Sequence, residues 1–134
     1  MKRWVVNDNG EGNFVRLQPI LQFGSFQFDA EALLLTRGSR SLELSPKALQ
    51  VLAVLVRNAG RVVSKDDLLN IVWPDAIVEE GNLAVHIFAL RRALGADAAA
   101  AEYIETVPKR GYRFAAPVDA AREGGAVVEH PLIP

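Results

Sequence analysis

Between Phe23 and Phe114 the spacing of apolar residues changes twice, and these two changes restrict the possible architecture more than any other feature. Upstream of Ser45 the spacing is close to two. LQFGSFQFD sets Phe23, Phe26 and Phe28 in partial alternation, ALLLTRG breaks at Gly38, and RSLELS alternates Leu42 and Leu44 against Ser41 and Glu43. Runs of this kind separated by turn residues predict three short strands in an antiparallel meander.

At Ser45-Pro46 the alternation stops. The serine hydroxyl can cap open helix N–H groups, and proline suits the first helical position. Leu49, Leu52, Ala53 and Val56 then follow at i, i+3, i+4, i+7, and Asn58-Ala59-Gly60 provides a stop. Arg61-Val62-Val63 has room only for a bridging strand. Ser64 with Asp67 forms a capping-box pattern that opens a second helix, Lys65 to Trp73, which Pro74 ends. After the loop PDAIV a third helix is predicted from about Glu79 to Leu94, with Gly95 as its stop. An alanine-rich loop leads to YIETVPKRGYRF, where the period returns to two on both sides of a Pro-Lys-Arg-Gly turn. The order is three strands, three helices with a small strand between the first two, and a two-stranded ribbon: an α+β chain. Residues 1–21 are expected to be an extended or partly ordered leader, 22–118 the domain, and 119–134 a flexible tail or linker.

Composition narrows the function. There is no cysteine, so disulfides and thiolate zinc sites are excluded. The apolar run Val51–Val56 is far too short to cross a bilayer, and no signal peptide pattern opens the chain, so a cytoplasmic protein without membrane contact is expected. The formal charge is −1, so any nucleic-acid binding must come from a local basic patch and not from a whole-chain field. His86 and His130 lie in no triad pattern, and there is no glycine-rich phosphate loop or metal-ligand cluster. No enzyme activity, catalytic residue, cofactor or metal is expected.

The third helix has more than one apolar side. At about 100° per residue, Leu83, Ile87, Leu90 and Leu94 form a stripe that must face the core. Val85, Phe88 and Arg92 point the opposite way with Ala89 beside them; His86 is near the margin of the core stripe, Asn82 lies beyond it, and Arg91 lies on the other flank. Val85 and Phe88 either pack against a further layer or stay open for a partner. If they stay open, an α-helix fits the major groove of B-DNA, where apolar side chains can touch thymine methyls and arginine can reach guanine or phosphate. In the ribbon, Pro108 fixes an early φ and Gly111 allows a left-handed closing residue, which puts Lys109 and Arg110 in solvent at the tip. That pair is either a solvated, aggregation-resistant turn or a second contact along the DNA backbone.

The runs LLNIVW from Leu68, VEEGNLAVHIFALRRALG from Val78, and YIETVPKRGYRF from Tyr103 together closely resemble the effector domains of OmpR/PhoB-type response regulators. The resemblance covers Phe23 to about Val118. It is nearest to relatives in which this domain begins a longer regulator with no receiver domain before it. It implies a winged helix-turn-helix: an N-terminal antiparallel sheet, three helices and a C-terminal hairpin wing. It further implies a transcriptional regulator that binds double-stranded DNA, with the third helix in the major groove. Val85 and His86 then correspond to positions near bases and phosphate, Arg91 to a backbone contact, and Thr106 and Tyr112 to wing hydroxyls that reach phosphates. Trp73 and the loop at Asp75 correspond to a segment that meets RNA polymerase, and relatives often bind head to tail as dimers. Phe88 and Ala89 stand where other members carry arginines. Pro108 replaces a groove-entering arginine, leaving Lys109 and Arg110 in its stead. The other class to weigh is a winged-helix protein-interaction module that uses the apolar face of the third helix. Its binding would respond weakly to salt, whereas phosphate neutralisation weakens steeply.

Overall fold

The aromatic run at Phe23 is a hairpin and not a single strand in the computed structural model, which describes residues 2–6, 10–16, 20–95 and 103–121. Strand β3 (Ile20–Phe23) pairs antiparallel with β4 (Phe26–Asp29), and Gly24-Ser25 make the turn between them. The three-residue step from Phe23 to Phe26 interrupts the alternation at that turn. Gly24 has φ +57, and a Cβ there would lie 1.9 Å from the Tyr103 hydroxyl, so only glycine lets the tyrosine close over the turn. Strands β5 (Leu34–Arg37) and β6 (Arg40–Ser41) complete the meander.

Regular structure also occurs in the segments expected to be an extended or partly ordered leader and a tail. Within the leader, β1 (Lys2–Val6) and β2 (Gly12–Arg16) pair in register as an antiparallel hairpin, and β3 already begins at Ile20. Within the tail, β10 (Asp119–Ala121) pairs with β3, giving a sheet of order β10-β3-β4-β5-β6. The free edge of β3 supplies the backbone partners for this short strand, which no side-chain pattern marks. The alanine-rich loop at 96–102 and the tail at 122–134 lie outside the described residues.

Helix α1 (Pro46–Arg57) starts as expected: the Ser45 hydroxyl accepts from the Ala48 N–H at 3.1 Å. It buries more than its predicted stripe. Val51, Val54 and Leu55 are buried along with Leu49, Leu52, Ala53 and Val56, because α1 is covered from several directions. One is the N-terminal sheet, whose inward Phe23, Phe26, Phe28 and Leu35 join its side chains in one core. The others are helices α2 (Lys65–Val72) and α3 (Glu80–Leu94), together with strand β9 (Gly111–Phe114). Phe23 meets Phe114 edge-on at 4.9 Å and Phe26 meets Tyr103 at 5.6 Å, in the tilted geometry that aromatic pairs favour. These contacts fasten the sheet to the base of the ribbon.

The bridging strand β7 (Val62–Ser64) pairs with β9, and β9 pairs with β8 (Ile104–Val107), giving a sheet of order β7-β9-β8. Gly111 is required at that junction, since a Cβ would sit 2.0 Å from the Val63 carbonyl oxygen. The close approach brings Ser64, the N-cap of α2, beside the tip turn of the wing.

Candidate nucleic-acid interface

Helix α3 presents two different sides. Leu83, Ile87, Leu90 and Leu94 are buried against the rest of the domain, while Val85 is 63% and Phe88 61% exposed. No further layer covers them among the described residues, which resolves the open choice in favour of a free face. Asn82 and Arg92 are exposed on the same side of the helix, and Ala89 is half-buried. The Arg92 guanidinium lies 5.9 Å from the centre of the Phe88 ring one turn away, a cation–π contact that steadies both side chains.

The wing places its cations beside the start of this helix. Arg110 donates its N–H to the Val107 carbonyl at 3.0 Å, closing a turn with Pro108 first and Lys109 second. Lys109 has φ +67, so the left-handed residue is Lys109 and not Gly111 as expected. With proline at the first central position and positive φ at the second, the turn is of the type II class. Glycine at 111 serves instead the close approach to Val63. Lys109 and Arg110 line an open cleft of about 470 Å³ with Ser64, Lys65, Asp66 and Glu80. The wing tip therefore lies against the N-terminal ends of α2 and α3.

Several residues that the resemblance points to are engaged within the domain. Arg91 donates from Nε and Nη2 to the Ile104 carbonyl at 3.2 and 2.9 Å, and from Nη2 to Thr106 Oγ1 at 2.7 Å. Arg91 and Thr106 are thus brought together across the helix–wing gap. Tyr112 is only 8% exposed and belongs to the core, on the same side of its strand as Phe114. His86 is half-buried and stacks on Trp73 with 5.6 Å between ring centres. Burial first, and the nearby Lys47 ammonium second, hold its pKa below the ordinary imidazole value. Trp73 is engaged a second time by Lys47, whose Nζ lies 5.7 Å from the centre of the indole ring and donates to the Val72 carbonyl at 2.7 Å. In the loop that follows, Asp75 is exposed and Ile77 is fully so.

Two cations were not picked out from the sequence. Lys47 ties the end of α2 to α1, and nothing local marks it for that task. Lys65 was open to detection: a cation in the first turn of a helix opposes the macrodipole, so it needs another reason to be there. Its ammonium is 3.5 Å from Glu80 in an exposed pair of little energetic weight. No helix among the described residues is long and apolar enough to cross a membrane.

Comparison with known proteins agrees with this geometry. The family described as "Transcriptional regulatory protein, C terminal" matches residues 39–114. The transcriptional regulator HilA of Salmonella typhi is 43% identical over 96 residues, covering 72% of this chain and 17% of HilA. The transcriptional activator CadC of Escherichia coli (strain K12) is 33% identical over 102 residues, covering 75% of this chain and 20% of CadC. The chain thus spans a fifth or less of these relatives' length. The solved DNA-binding domain of E. coli CadC superposes with a TM-score of 0.69 at 32% identity, covering 78% of this chain and 98% of that one. The DNA-binding domain of Klebsiella pneumoniae RstA, solved in complex with the RstA box, gives a TM-score of 0.58 at 28% identity over 70% of this chain and 94% of that one. The chain belongs to this family, the OmpR/PhoB-type winged-helix DNA-binding domains of transcriptional regulators.

Proposed function

We propose that α3 docks in the major groove of double-stranded DNA and that the wing runs along the adjacent backbone or minor groove. One observation carries this reading: an uncovered helix face holding Val85, Phe88 and Arg92 starts beside a wing tip bearing Lys109 and Arg110. Val85, Phe88 and Ala89 offer apolar contact to thymine methyls, and Asn82 and Arg92 offer hydrogen bonds to base edges or phosphate. Lys109, Arg110 and Lys65 supply the backbone charge that the whole chain lacks. Thr106 adds a hydroxyl to a phosphate, while His86 and Tyr112 support the surface from within.

Replacing Lys109 and Arg110 together by alanine is expected to weaken binding to every sequence alike. It should also flatten the salt dependence by about 0.9 in log–log slope for each phosphate that is no longer neutralised. Fluorescence anisotropy titrations at several salt concentrations measure both quantities. An unchanged slope in the double mutant would take the wing out of the mechanism. The exposed Val85 and Phe88 also favour a second reading, a protein-interaction module, whose affinity would barely change with salt.

As part of a regulator, the domain would act in the cytoplasm and contact RNA polymerase through the α2–α3 corner. Exposed Asp75 and Ile77 support that contact more directly than Trp73, whose ring is already stacked on His86. Head-to-tail pairing of two copies on a direct repeat completes the proposal. A spaced repeat among oligonucleotides selected from a random pool would support that arrangement, and single isolated sites would oppose it.

A further inference from the structure

We infer that Arg91 is a positioning residue for DNA binding: its guanidinium sets the spacing between the recognition helix and the wing. The inference rests on the groove-docking reading above. It assigns Arg91 a different task from the backbone contact that the family resemblance implies.

The register of the wing explains how the contact arises. Strand β8 is the outer strand of the β7-β9-β8 sheet. The Tyr103 carbonyl accepts from the Ala115 N–H at 2.8 Å, on the side of β9. Carbonyls alternate along a strand, so the Ile104 carbonyl points the other way, off the open edge. Arg91, in the last turn of α3, fills that edge with its planar fork. Nε and Nη2 share the Ile104 oxygen, and Nη2 also reaches Thr106 Oγ1. The two acceptors belong to residues two apart on the strand, about 6.6 Å in rise. A guanidinium holds several donors in one plane and can serve both; an ammonium is a point donor on a flexible stem and cannot hold the pair in one geometry.

The buried stripe of α3 fixes the helix against α1 and α2. It does not determine how far the wing leans from the helix. Arg91 joins the helix to Thr106, which stands two residues before the tip turn at Pro108. The same bond orients Thr106: with Oγ1 accepting from Arg91, the hydroxyl proton is turned away from the helix and free to donate to a phosphate. Glu105 and Arg113, paired across β8 and β9 through Oε1 and Nε at 2.9 Å, stiffen the ribbon that Arg91 holds.

The test uses Arg91→Lys and Arg91→Ala in two backgrounds, the natural wing and the Lys109→Ala/Arg110→Ala wing. Binding to a duplex selected from a random pool is titrated by anisotropy at low salt and across a salt series. Amide hydrogen exchange of the free proteins is measured alongside. With the natural wing, both variants are expected to lose about tenfold in affinity, the equivalent of one charge-assisted hydrogen bond. Lysine should do no better than alanine, and the salt slope should stay as it was. In the alanine wing the loss should fall below about twofold, because both changes act through one element. Exchange at Ile104–Val107 should accelerate. Arg91 would be a plain phosphate contact if Arg91→Lys kept full affinity while Arg91→Ala flattened the slope and cost the same in both backgrounds. If the unaltered protein bound no duplex, the DNA reading would fail separately. The exchange rates would then decide: acceleration supports the helix–wing clamp, and unchanged rates overturn it.

Discussion

Helices α1 and α3 each carry six large apolar side chains, yet the fold covers them differently. In α1 all six are buried, because the sheet, both other helices and the wing base surround it. In α3 four are buried, and Val85 and Phe88 are left in solvent. A single exposed apolar side chain is ordinary, whereas a contiguous exposed apolar patch is a mark of interaction sites. The two helices therefore show the same kind of residue in two settings: enclosed where neighbours exist, and open to a partner, as proposed above, where they stop.

The contrast can be broken most directly at Leu52, which is fully buried in α1. Leu52→Ala is expected to destabilise the domain by about 3 kcal/mol through reduced burial and the cavity left behind, read from urea unfolding. Phe88→Ala should shift the same unfolding curve by no more than about 0.5 kcal/mol, as for other surface changes. Its effect should appear instead in sequence preference, as a relaxed choice at one or two base pairs in oligonucleotide selection. A loss of stability comparable to Leu52→Ala would place Phe88 in the core and end the comparison.

The smallest effect sharpens the boundary between the two sides of α3, where His86 sits. Its pKa is lowered by burial and then by Lys47, from an ordinary value of 6.5. Just below pH 6.5 the unfolded chain therefore binds more protons than the folded one. The stability that neutral His86 contributes is complete above pH 6.5 and falls away as pH drops toward its depressed folded value. His86→Gln is expected to lessen, modestly, the drop in Tm between about pH 7 and about pH 5. Identical drops in both proteins would show that the imidazole is not held neutral by the fold.

Much of the architecture is readable from the chain because local signals and tertiary packing agree. Ser45-Pro46 and Ser64 with Asp67 mark two helix starts, and the Leu83–Leu94 stripe names the inner side of α3. The hairpin at Gly24-Ser25 escapes such reading because a two-residue turn inside an aromatic run looks like imperfect alternation. Strand β10 escapes it because it depends on an edge that β3 offers about a hundred residues earlier in the chain. The candidate site is legible in its residue types and less so in their duties. Val85, Phe88, Arg92, Lys109 and Arg110 stand on the open surface, whereas Tyr112 is packed inward and Arg91 faces the wing. A side chain's partner across a gap is fixed by register and by the tilt of elements, and neither leaves a periodic trace.

The three helices in their order, the serine caps of α1 and α2, the core stripe of α3 and the charged turn between two β-runs follow from the amino-acid sequence alone. These are governed by interactions within a few residues and by periodicity. Tertiary structure decided that α1 is covered from several directions, that the wing tip stands against the first turn of α3, and that Arg91 bridges the helix and the wing. Those outcomes depend on contacts between segments far apart in the chain, where only the assembled geometry determines which donor meets which acceptor.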